Sequence, residues 1–179
     1  MFAGCLIAIS FGTVFIMVNS AGLPSPWPPV IQVAAVITAV ALLVALFRSG
    51  STARSGSTAR SAPRAAGHGF ADRRYWIIVA VEVAALFGGL YVINGVLDRP
   101  ELGVAWVATV VGVHFFALAR AWRLPLFHLL GAAMTLLGLA GFLVYAAGGS
   151  AATVALIAGV GSGVALYAMV VMALRSPAR

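Results

Sequence analysis

The sequence contains no lysine, a single cysteine and only four acidic residues among 179. Each scarcity excludes something. Cys5 alone can form no internal disulfide and supplies no CxxC or zinc-ribbon site. With 8% charged and 63% hydrophobic residues, the chain has too little polar surface to enclose a water-soluble core. All eleven basic residues are arginine, and the net charge is +7. In a soluble protein that balance would suggest nucleic acid as a partner, but here the arginines lie between long apolar segments, so no nucleic-acid partner is expected. An Ala, Gly, Val and Arg-rich chain without lysine fits GC-rich coding and a bacterial source, hence the plasma (inner) membrane.

What is present is apolar length. No charge occurs before Arg48, and Pro24, Pro26, Pro28 and Pro29, read as a turn, divide this stretch into two segments, 2–19 and 30–47. Four more follow at 75–97, 102–119, 124–147 and 151–174. A hydrocarbon core of ~30 Å needs about 20 helical residues at ~1.5 Å each, so every segment can span with its flanks. The expected fold is all-α, a polytopic bundle of six transmembrane helices in one domain over 1–179, with the lipid bilayer as its solvent. The first segment is read as a retained helix, because it lacks the basic region that opens a secretory signal.

Residues 48–74 are the only long polar stretch, and they carry a tandem hexapeptide, Ser-Gly-Ser-Thr-Ala-Arg, at 49–54 and 55–60. Lacking large apolar side chains, this stretch is expected to be a flexible linker. It holds six arginines, and alternation of the helices puts it on the same side as Arg120, Arg123, Arg175 and Arg179, leaving only Arg99 opposite. The positive-inside rule then places the linker and both termini in the cytoplasm. Anionic lipid at that face is the expected partner of the arginines. Tyr75, Trp76 and Trp122 would mark the inner interface, Trp27 and Trp106 the outer one.

Inside the segments the titratable groups that stand out are Glu82, His114 and His128. A charge in hydrocarbon costs at least ~2.5 kcal/mol, so each should face the bundle or water. Counted along the helical rise, they lie ~10, ~9 and ~6 Å from the cytoplasmic end, on three successive helices. They are candidates, with Arg120, for a substrate or proton site. Two imidazoles and a carboxylate are also a zinc-type donor set, so Glu82, His114 and His128 are the residues that would hold a metal. No HExxH spacing supports this, and a structural pairing of Glu82 with a histidine or with Arg120 is the simpler alternative.

Small residues form two stripes. His128, Gly131, Thr135, Gly138, Phe142 and Tyr145 share one face of the fifth segment, and Ala155, Gly159, Gly163 and Tyr167 recur every fourth residue in the sixth. Helix packing is the expected use, with a homo-oligomer through Gly159 and Gly163 as one form of it. Gly88 and Gly89 are read the same way, or as loosening the helix next to Glu82.

The stretch Gly112-Val-His-Phe-Phe-Ala-Leu-Ala-Arg120, followed by Leu124-Pro125, His128 and Gly131, resembles a pattern of small uncharacterised bacterial multi-pass membrane proteins. The resemblance covers about 20 residues, implies no reaction or ligand, and groups His114, Arg120, Pro125 and His128 around one turn. The leading functional expectation is a small proton- or cation-linked transporter or channel-like protein with a cytoplasm-facing Glu/His site. The alternatives are a non-catalytic accessory or scaffold subunit, and an intramembrane metal-dependent enzyme. The enzyme reading lacks a nucleophile, since Ser162, Thr135 and Cys5 have no base nearby in sequence, and no catalytic residue is assigned.

Overall fold

The computed structural model describes residues 2–55 and 73–175. The fold is all-α, with no strand among the described residues, and comprises six helices each long and apolar enough to cross a membrane. They are α1 (Phe2–Ser20), α2 (Trp27–Ser55), α3 (Arg73–Tyr91), α4 (Gly103–Trp122), α5 (Pro125–Ala146) and α6 (Ala151–Val154, Ala155–Val160 and Gly161–Arg175 in one continuous rod). The middle portion of α6 is π-helical, as is the turn Val92–Val96 that ends α3.

The prolines sit differently from their sequence reading. The turn between α1 and α2 holds Pro24 and Pro26, whereas Pro28 and Pro29 lie inside the first turn of α2. The amides at that position have no intrahelical acceptor, so proline loses nothing there and its fixed φ favours the helix. Helix α2 also continues past residue 47 to Ser55, through the first hexapeptide, where a linker was expected from Arg48 onwards. Of the rest of that expected linker, 56–72 lies outside the described residues, and its last two residues, 73–74, belong to the start of α3. Between α4 and α5, Arg123 takes a left-handed conformation, the Leu124 amide donates to the Ala119 carbonyl at 3.1 Å, and Pro125 opens the next helix. Ser150 caps α6, its Oγ accepting from the Thr153 amide at 3.2 Å.

Helix α6 is central. It packs on α1 and α5 along most of its length, and on α2 and α4 through shorter stretches. The α4–α5 pair is the most extensive in the bundle, while α3 packs chiefly on α4 and is the least buried helix. Glycines make the closest approaches. A Cβ on Gly131 would lie 2.8 Å from the Gly112 carbonyl oxygen, so α4 and α5 meet backbone to backbone there. The sixth-segment stripe is used within the chain: a Cβ on Gly163 would lie 2.7 Å from the Gly12 carbonyl oxygen, and Gly159 faces Asn19. Both glycines are buried against α1, so the expected homo-oligomer through Gly159 and Gly163 has no free surface at these residues. Gly89 packs beneath Trp106, whereas a Cβ on Gly88 would meet nothing within 4 Å among the described residues.

Tyr167 ties three helices. Its hydroxyl lies 2.6 Å from Thr13 Oγ1 on α1 and donates to the Ala35 carbonyl on α2 at 3.2 Å. These contacts, with Phe2 against Phe47 and Phe115 against Phe127, fix the helix directions. Arg48, Arg73, Arg120, Arg123 and Arg175 consequently collect at one end of the bundle, and Asp98, Arg99 and Glu101 at the other.

Candidate functional site

The site is built on the seam between α3 and α4. Tyr75, Glu82 and Gly89 are spaced by seven residues, and such a repeat stays on one side of a helix. On α4 their counterparts run the opposite way: Trp122, His114 and Trp106. The rings of Tyr75 and Trp122 stack with centroids 6.0 Å apart. Trp106 covers Gly89 and its indole N–H donates to the Ala85 carbonyl at 3.1 Å. Between these two aromatic contacts, His114 Nδ1 approaches Glu82 Oε2 at 2.9 Å.

The two side chains are 12% and 17% exposed, respectively. Nδ1 of His114 lies in ion-pair contact but off the line of a hydrogen bond to the carboxylate, and among the described residues it has no hydrogen-bond partner. The His114 ring meets that of Phe115 edge-on at 6.0 Å. Between Tyr75 and Tyr91 on α3, and between Gly103 and Ala119 on α4, these are the only two titratable side chains. In a low-dielectric seam each relieves the cost of burying the other, which accounts for their facing one another.

His128 does not join them. It is exposed on α5, and its ring lies 6.0 Å from that of Phe116. Similar depth is not convergence: residues two apart on a helix point about 200° apart at 3.6 residues per turn, so Gly112 and His114 address different neighbours. Gly112 meets α5, where His128 sits three residues before Gly131, while His114 meets α3. Arg120 is exposed, and among the described residues it forms no ion pair with Glu82. No group of three or more His, Cys, Asp or Glu is arranged to hold a metal among the described residues, so the suggested Glu82, His114 and His128 donor set is not assembled.

Two participants escaped the sequence reading. Trp106, assigned only to an interface belt, bonds the α3 backbone beside the pair. Tyr167, assigned to a packing stripe, is the hydroxyl that joins α1, α2 and α6. The seven-residue spacing of Tyr75, Glu82 and Gly89 was the available signal for the first; nothing in the spacing marks the second. Ser162, expected to lack a base, is fully buried in α6 with an Oγ that has no hydrogen-bond partner among the described residues. Comparison with protein-family models, with curated proteins and with solved structures finds no match to this chain.

Proposed function

We propose that this chain is a small proton-linked transporter or channel-like protein of the membrane, with Glu82 and His114 as its proton site. The observation that carries the reading is the 2.9 Å approach of a carboxylate and an imidazole inside a seam between two otherwise uncharged helical spans. A carboxylate and an imidazole can each take up or release a proton, and gaining or losing one changes the net charge of the pair. Helix α3, lightly packed, is the element whose position such a charge change would bias. The arginine-bearing end is the cytoplasmic one in this reading, with both termini and anionic lipid on that side, in agreement with the positive-inside rule. The local resemblance to uncharacterised bacterial membrane proteins is consistent with an inner-membrane location.

The test is proton flux into proteoliposomes carrying a trapped pH-sensitive dye. Wild-type protein should give flux above that of empty vesicles, and Glu82→Gln should remove it while leaving a folded protein. Wild-type flux no greater than the vesicle background, or full flux in Glu82→Gln, would overturn the reading.

A second reading, an accessory or scaffold subunit, is favoured by one observation. Helix α3 turns Trp76, Val81, Phe87 and Tyr91 outward, the last two at 70% and 73% exposure, which is a broad apolar face for lipid or another membrane protein. Under it, Glu82 and His114 are the clasp that holds α3 in place.

A further inference from the structure

At the end of the bundle remote from the arginine cluster, α1 and α4 both pack on the π-helical portion of α6, and between them a cleft of about 560 Å³ stays open. Its walls are Val14 and Val18 from α1 and Val104 and Val107 from α4. The floor is Ala152 and Ala155 of α6, whose methyl side chains leave the space unfilled. Polar groups occur only toward the ends of these helices, where Asn19 and Glu101 line the cleft. From Val107 back to Glu101 is ~9 Å at the helical rise.

Those groups are uncommitted. Among the described residues Glu101 makes neither a hydrogen bond nor an ion pair. The Asn19 amide nitrogen donates to the Phe15 carbonyl at 2.8 Å, and among the described residues its Oδ1 accepts no hydrogen bond. Asp98 and Arg99 in the same loop are both exposed and offset one another in charge, so Glu101 leaves the mouth net negative. The volume falls in the ~300–1,000 Å³ range of sites that hold one small molecule, and apolar walls with a few convergent polar groups are the usual make-up of such sites. A two-chain phospholipid is too large for it. A hydrophilic cation would gain nothing from the walls, and an anion would meet Glu101.

We propose that this cleft binds a free single-chain amphiphile with a cationic head, an alkylammonium. The ammonium lies between the Glu101 carboxylate and Asn19 Oδ1, and the chain runs along α1 and α4 over Ala152 and Ala155. This site is separate from the Glu82–His114 seam and does not depend on the proton-linked reading.

The test uses the full chain in phosphatidylcholine nanodiscs, with empty nanodiscs subtracted for partitioning. Radiolabelled decylammonium, decyl sulfate and decyl maltoside are titrated by equilibrium dialysis. The ammonium should bind saturably at one site, at least about tenfold more tightly than the sulfate or the maltoside, the factor expected for a charge-assisted contact. Glu101→Gln, an isosteric change at the solvent edge, should weaken the ammonium by about tenfold and leave the maltoside unchanged. Ala152→Leu, which fills the floor, should weaken all three, with a thermal melt confirming the fold. Equal affinity for the three head groups, no saturable binding, or an unchanged ammonium affinity in Glu101→Gln would overturn the proposal. So would phosphatidylethanolamine that copurifies with the wild type and is lost in Glu101→Gln, because the occupant would then be a bilayer lipid.

Discussion

Gly112 and His114 stand two residues apart on α4 and serve opposite sides of it: Gly112 lets the α5 backbone approach, and His114 meets Glu82 of α3. Helix α4 is thus shared between a dense, glycine-lined contact and a looser seam held by one carboxylate–imidazole pair and two aromatic contacts. The asymmetry predicts that substitutions on the two faces differ in kind, those facing α5 acting through overlap and those facing α3 through charge and hydrogen bonding.

On the α5 side, Gly131→Val should be severe. Its Cβ would meet the Gly112 carbonyl oxygen at 2.8 Å and the Phe116 amide nitrogen at 3.2 Å, both backbone atoms that yield only if the helices separate. Overpacking of this kind costs about 1–3 kcal/mol, and more where backbone must shift. Thermal melting in bicelles should show a drop of several degrees, while Gly88→Ala, in open space, should be neutral or slightly stabilising through helix propensity.

On the α3 side, His114→Ala leaves Glu82 in the seam without its counter-group and should cost up to about 3 kcal/mol, the low end for removing one partner of a buried pair. Glu82→Gln keeps shape and hydrogen-bonding capacity, and its cost should stay within about 1 kcal/mol. In the double variant Glu82→Gln/His114→Ala the penalties should not add, because the interaction is lost only once. Strict additivity in unfolding free energies would show that the 2.9 Å approach carries no coupling.

The six helices were legible in the sequence because hydrophobic length is a property of composition, and a 30 Å core admits few alternatives. Their ends were less so. Pro28 and Pro29 read as breakers until the chain is seen to start a helix one residue earlier, and the Arg-Ser-Gly-Ser-Thr-Ala-Arg run from Arg48 has no apolar pattern to signal that α2 continues through it. Within the candidate site, depth followed from counting residues, so Glu82 and His114 were placed at one level. Rotation about the helix did not, because it depends on which neighbour each face meets; His128 shares the level but belongs to the α4–α5 side. Gly159 and Gly163 were identified as a close-packing surface, but a small-residue pattern does not say whether the partner is another copy or the chain's own α1.

Tyr167→Phe tests the three-helix node. The change removes the hydroxyl that pairs with Thr13 and donates to Ala35, while Thr13 keeps its own bond to the Ile9 carbonyl at 2.7 Å. No unsatisfied donor is left behind, so the loss should be about 1 kcal/mol, within the range of interhelical hydrogen bonds in membranes. Tyr167→Ala would in addition vacate the space over Gly12 and should cost about 3–5 kcal/mol by analogy with other aromatic truncations. A Phe variant as unstable as the Ala variant would mean that the hydroxyl, and not the ring, holds α1, α2 and α6 together.

Orientation is the prediction with the widest reach, because the proton-linked reading assigns Glu82 and His114 to the cytoplasmic half and the alkylammonium cleft to the opposite one. Arg48, Arg73, Arg120, Arg123 and Arg175 share one end of the bundle, and retention of arginine-rich loops inside is the strongest topological rule available. In a Cys5→Ala background, Ser150→Cys at the N-cap of α6 should react with a membrane-impermeant maleimide applied to intact cells, and Ser57→Cys should react only after lysis. Because α6 begins at the acidic end, labelling of position 57 but not of position 150 would invert the molecule. The pair would then face the outside and the cleft the cytoplasm, and any cationic amphiphile would have to reach Glu101 from within the cell.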